Sequence, residues 1–193
     1  LAQLGDLVGG LLGLAGWLEG PLGEALLKDR HEVARARLAA LKERFGDALY
    51  AEVQRHPSAP EPALEAAVLD LAYESGVPLV ATNDVHFAKA EDHEAHEALI
   101  AIADGVRLSD DDRRRLTPDH RFRTREEMLA LFDDLPEATA NTVEIARRCH
   151  ARPLKAPPML PRFAGGEADG VDQETVEAEL LRRKAEEGLA RRL

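Results

Sequence analysis

Apolar positions along the chain follow two periods. Gly10-Leu-Leu-Gly-Leu-Ala15 is continuously apolar, as in a short buried strand, and Gly20-Pro21 then signals a turn. Between Pro21 and Phe45 the residues Ala34, Leu38, Leu41 and Phe45 recur at helical spacing. A helix is expected there, broken near Asp29 and capped by Gly46. Leu49, Ala51 and Val53 alternate with Tyr50, Glu52 and Gln54, the period of a half-buried strand. After Pro60, Leu64, Ala67, Val68, Leu71 and Ala72 mark a helix that Gly76 ends, and Val77-Pro-Leu-Val-Ala-Thr82 reads as a central strand. Strand, helix, strand, helix, strand predicts an α/β fold with a parallel sheet. Such sheets carry their sites beyond the C-terminal strand ends, so whatever follows Thr82 is well placed for chemistry.

The remaining pattern is helical. Glu91 to Asp104 forms one helix stopped by Gly105, and Asp110 to Arg115 reads as a solvated charged loop. Thr124-Arg-Glu-Glu127 is a capping box opening a helix through Phe132, and another helix runs from Pro136 to about Cys149. Residues 151–171, rich in Pro and Gly, form a connector. Asp172 then caps an amphipathic helix that reaches Leu193. A start at Leu1 and a last helix with no stop signal read as a chain cut at both ends.

Composition narrows the class. A chain of 193 residues with 45% hydrophobic and 32% charged positions can bury an ordinary core. Its net charge of −11 argues against gripping a nucleic acid alone, because releasing counterions from phosphates needs Lys and Arg. The single cysteine, Cys149, excludes an internal disulfide framework, fits a reducing cytoplasm and is expected in the core. The apolar stretch from Leu7 to Leu18 is too short to cross a bilayer, is broken by four glycines and has no basic residue before it. No membrane role is expected.

Candidate chemistry centres on Asn83-Asp84-Val85-His86. In extended backbone Asp84 and His86 point the same way, and a carboxylate with an imidazole can share a zinc or manganese ion. The triplet alone leaves two other readings open, Asp84 orienting His86 or capping the next turn. His93 and His96 share one side of a helix and can chelate, though a polar helix start is more often simply solvated. His31, His56, His120 and His150 sit in polar surroundings with no signal of their own. No Gly-rich phosphate loop or nucleophile elbow occurs, and no catalytic residue is assigned.

Longer blocks carry more information than these spacings. Leu79-Val-Ala-Thr-Asn-Asp-Val-His-Phe87, followed by Glu91-Asp-His-Glu-Ala-His-Glu-Ala-Leu99, closely resembles the alpha subunits of bacterial DNA polymerase III. Arg121-Phe-Arg-Thr-Arg-Glu-Glu-Met128, Leu135-Pro-Glu-Ala-Thr-Ala-Asn-Thr-Val-Glu-Ile-Ala146 and Leu160-Pro-Arg-Phe163 continue that resemblance in order. Phe45-Gly-Asp-Ala-Leu-Tyr50 and Val53-Gln-Arg-His56 are similar to the family as well.

The resemblance implies that residues 1–165 are the C-terminal portion of a polymerase and histidinol phosphatase (PHP) domain, part of a distorted (β/α)7 barrel. Residues 166–193 would begin the polymerase core. Asp84 and His86 then fall on the domain's last metal-ligand motif, with its other ligands in motifs before residue 1. A family position that is often Cys is matched here by Trp17 or Gly16, which cannot ligate a metal and which point to a degenerate zinc or manganese site. In some relatives this domain is a 3′–5′ exonuclease and in others a scaffold. Polymerisation would use magnesium ions in a palm domain outside this chain. The implied partners are template–primer DNA, deoxynucleoside triphosphates, the sliding clamp, the clamp loader and the exonuclease subunit. A stand-alone PHP phosphoesterase, an error-prone polymerase paralogue and a purely structural docking domain are the competing readings.

Overall fold

A computed structural model describes residues 5–56, 61–152, 154–156, 158 and 173–192. The chain divides into two units, Leu1–His150 and Ala151–Leu193, each described by itself. The first holds three parallel strands in the order β1 (Gly13–Leu14), β2 (Leu49–Val53) and β3 (Leu79–Ala81). Gly13 pairs with Leu49 and Ala51 with Leu79, so β2 is central and β3 an edge. Among the described residues no closed barrel forms. The sheet is mixed with helices α1 (Gly23–Leu26), α2 (His31–Phe45), α3 (Glu61–Ser75), α4 (His93–Asp104), α5 (Arg125–Leu131) and α6 (Pro136–Arg148).

Several local rules set these boundaries. Gly46, Gly76 and Gly105 end α2, α3 and α4 at φ of +53°, +61° and +68°, a region that costs a residue with a Cβ. The expected break near Asp29 is there, with Asp29 at φ +53° between α1 and α2. Thr124 caps α5 as its capping box requires: its hydroxyl accepts from Glu127 N–H, and Glu127 accepts from Thr124 N–H at 2.8 Å.

Four expectations are corrected. The opening strand is only Gly13–Leu14, because a 3₁₀ turn at Gly5–Val8 and Gly10 at φ +83° occupy the residues before it. With a neighbour on one side only, its Leu11 and Leu14 stay exposed. The alternation expected in β2 fails at Tyr50, which is buried, because the central strand is covered on both faces. Cys149 is exposed at the end of α6 rather than in the core. Arg113, inside the supposedly solvated run, is buried against Glu97 of α4. The Asp172 cap, residues 160–163 and Leu193 lie outside the described residues; the second unit's helix is α7 (Gln173–Ala190).

The core joins Leu38 and Leu41 of α2, Leu49, Ala51 and Val53 of β2, Leu64, Val68 and Leu71 of α3, and Phe132 with Leu135 beyond α5. Arg55, just past β2, fastens this core to the α5–α6 turn. Its guanidinium donates to Glu65 at 2.5–3.1 Å, to Asp134 at 2.6 and 2.8 Å and to Leu131 O at 2.7 Å, and stacks 4.7 Å over Phe132. The bonds raise its already high pKa further, chiefly through Asp134 and then Glu65.

Candidate site at the C-terminal strand ends

Three strand ends and one loop enclose a cavity of about 410 Å³. Trp17 follows β1, Gln54 and His56 follow β2, Asp84 and His86 follow β3, and Arg114 to Thr117 with His120 come from the loop before α5. This is the position that parallel α/β sheets use for ligands. Trp17 is fixed by close packing, since a Cβ on Gly23 would stand 2.1 Å from the Trp17 carbonyl oxygen.

Asn83 organises the loop. It is buried, and its amide donates to Asp119 O at 2.9 Å and Arg121 O at 2.8 Å while accepting from Arg123 Nε at 3.1 Å. Arg123 also reaches Asp119 at 2.6 Å. His86 N–H donates to His120 O and Phe122 N–H to Phe87 O, both at 2.9 Å. These bonds hold residues 119–123 against the end of β3.

The two residues singled out from sequence do meet, although not on an extended strand. Asp84 adopts φ +41°, a left-handed turn that Asp tolerates better than most residues. The turn brings its Oδ2 within 3.2 Å of His86 Nε2. His93 and His96 diverge: His93 Nε2 donates to Leu116 O at 2.9 Å, whereas His96 packs edge-on to His86 at 5.3 Å. Nδ1 of His96 is buried with no hydrogen-bond partner among the described residues.

Two site residues were invisible to spacing. His56 and His120 stack with centroids 3.8 Å apart and planes 5° off parallel, and His120 lies 6.0 Å from His86. His56 Nε2 donates to Asn83 O at 3.2 Å. Their sequence separation hides the pair; the only clue was that His56 closes β2 as Asp84 and His86 follow β3. Burial, then the neighbouring His56, holds His120 below the ordinary imidazole value. His31 and His150 lie outside the cavity wall.

The donor set does not complete a metal centre. Zinc takes four ligands, three of them from protein even in catalytic sites. Among the described residues no three His, Cys, Asp or Glu side chains are placed to hold an ion. Asp84 and His86 offer two donors, already bonded to one another.

The site belongs to the class of parallel α/β sites set at strand ends, and the relatives narrow it further. No family model matches the chain. DNA polymerase III subunit alpha of Caulobacter vibrioides is 46% identical over 184 residues, 95% of this chain and 16% of the relative. The same subunit of Rickettsia bellii and of Escherichia coli is 38% identical over 95% of the chain and 15% of each relative. The chain is thus similar nearly end to end to a segment of the DNA polymerase III alpha subunit, as its residues 79–163 already indicated, and spans about a sixth of those relatives' length.

Proposed function

We propose that this chain is the segment of a bacterial DNA polymerase III alpha subunit that supplies the later part of a PHP module, residues 1–165, and the start of the polymerase core, residues 166–193. The observation that carries the reading is similarity over 95% of the chain to DNA polymerase III alpha subunits. The module acts as a scaffold. Asp84 and His86 are its remnant of a zinc or manganese site, and the (β/α)7 barrel to which the three strands would belong is completed by other segments. Template-directed DNA synthesis with deoxynucleoside triphosphates and magnesium ions takes place elsewhere in the subunit. Sliding clamp, clamp loader and exonuclease subunit are its partners, in the cytoplasm. No helix among the described residues is long and apolar enough to cross a membrane.

The full-length subunit carrying this segment tests the reading. It should extend a primed template, and Asp84→Ala should leave the extension rate unchanged while lowering the melting temperature. A full-length protein that does not extend primers refutes the polymerase assignment. Stoichiometric zinc or manganese in the wild type, lost together with exonuclease activity in Asp84→Ala, refutes the scaffold role.

A further inference from the structure

Helix α4 is apolar on two opposite faces. Its inner face carries Ile100 and Ala101 into the interior, and polar bonds lock it there: Glu97 accepts from Arg113 and Leu116 N–H, and His93 donates to Leu116 O. On the other side Ala95, Ala98, Leu99 and Ile102 recur at i, i+3, i+4 and i+7, which makes them one stripe about two turns long. Leu99 is 62% and Ile102 76% exposed. A helix that is apolar all round packs on both sides. Helix propensity does not account for Ile102, since Lys, Glu or Gln would form the same exposed turn better. Charge marks the ends of the stripe. The helix and its entry turn, Ala90–Asp92, contain no Lys or Arg. Glu94 and Asp104 stand about 15 Å apart along the axis, and neither forms an ion pair among the described residues. Asp104 lies in the last turn, where a carboxylate opposes the helix dipole, so α4 by itself gains nothing from it.

We propose that this outer face is covered in the whole subunit by a helix from another region of the same polypeptide, with an apolar edge against Leu99 and Ile102 and a Lys or Arg opposite each of Glu94 and Asp104. The inference rests on the alpha-subunit reading above, in which this chain is about a sixth of the polypeptide and the remainder is there to supply the partner. An unbroken apolar stripe favours a permanent neighbour over an exchanging one. Transient interfaces are about as polar as ordinary surface, whereas lasting ones resemble a domain core cut in two. Alanine at 95 and 98 lets a second helix axis approach to the usual packing distance of about 8–10 Å. The bonds of Glu97 and His93 hold α4 in place, so the partner meets a ledge that needs no ordering.

The test is carbene footprinting of the isolated full-length subunit, native and in urea, with labelled residues read by mass spectrometry. In the native subunit Leu99 and Ile102 should label as slowly as Leu38 and Leu49, which the core buries, and reach their full rate only in urea. Replacing Glu94→Lys and Asp104→Lys together, both at the surface, should shift the native labelling of Leu99 and Ile102 towards the urea rate. With Ile102 replaced by photo-reactive benzoylphenylalanine, a cross-link should form within one polypeptide, to a helix that carries Lys or Arg. An equal mixture of isotopically heavy and light subunit separates that product from a cross-link between copies. Native labelling at the urea rate, labelling unchanged by the double charge reversal, protection that arises only when another subunit is added, or a cross-link between copies would overturn the proposal. Primer extension by the same preparation tests the polymerase reading separately, so a bare face on an active polymerase defeats this inference alone.

Discussion

Two ionic anchors flank the cavity, and they are built on opposite plans. Arg55 spreads five donors over two carboxylates, one carbonyl and an aromatic face, and one of those carboxylates, Asp134, remains largely in water. Glu97 and Arg113 form a closed pair, each side chain less than a tenth exposed, with Leu116 N–H as a further donor to Glu97 at 3.0 Å. The first plan is redundant, because any one acceptor can be lost while the cation stays solvated or paired. The second has no spare. Burial makes its Coulombic attraction strong, and the same burial strands the survivor if either partner is removed. What separates the anchors is access to water rather than the number of bonds.

The largest effect should come from the closed pair. Glu97→Ala leaves Arg113 buried without its carboxylate and Leu116 N–H without an acceptor, and should cost about 3–5 kcal/mol in urea melts. A loss below about 1 kcal/mol would mean that water reaches Arg113, and the contrast between the anchors would fail. Arg55→Ala comes next. It unpairs the mostly buried Glu65 and frees Leu131 O, for an expected loss of about 2–3 kcal/mol by the same measurement.

The pH dependence sharpens the comparison. Burial opposes ionisation of Glu97, but Leu116 N–H, Arg113 and the nearby His93 outweigh it and hold the carboxyl below the ordinary glutamate value. Its stabilisation is therefore fully present above about pH 4.3 and is lost as the pH falls through the lower folded value. Urea midpoints of the wild type should drop faster than those of Glu97→Gln across that acid window; parallel curves would show that the pair does not hold the carboxylate charged. His120 acts in a different window. Its folded value is depressed, so the neutral form's contribution is complete above about pH 6.5 and fades as the pH falls from there towards the folded value. The smallest effect belongs to Asp134→Asn, about 0–1 kcal/mol, since Asp134 is exposed and Arg55 keeps Glu65. A loss comparable to that of Arg55→Ala would show the latch to be indivisible.

Helix ends were legible in the sequence because their causes are local. Gly46, Gly76, Gly105 and the Thr124 box each act within one turn, and the structure has them where the sequence places them. Charge runs and lone histidines were not legible. Arg113 looks solvated until α4 brings Glu97 against it, 16 residues away in sequence, and His56 means little until the loop bonded to Asn83 lays His120 on top of it. The opening strand was over-read for the converse reason, because an apolar run states what can be buried and says nothing of whether a neighbour is present to bury it. Asp84 and His86 were found through their position after β3, yet their mutual bond owes more to the left-handed turn at Asp84 than to strand alternation.

One contact on the far side of the sheet gives it a direction of growth. Along β3 the groups at Pro78 and Thr82 face β2, where Pro78 O accepts from Ala51 N–H and Thr82 N–H donates to Val53 O, which turns the Leu79 carbonyl outward. Asn141 of α6 donates to that carbonyl at 2.7 Å. A side-chain amide thus satisfies the Leu79 carbonyl where the backbone of another strand would otherwise do so, and α6 covers this part of the β3 margin. Beside Gly13–Leu14, among the described residues, no such stopper exists. A further strand alongside β1, from the same polypeptide or from a neighbour, would meet Leu11 and Leu14 there.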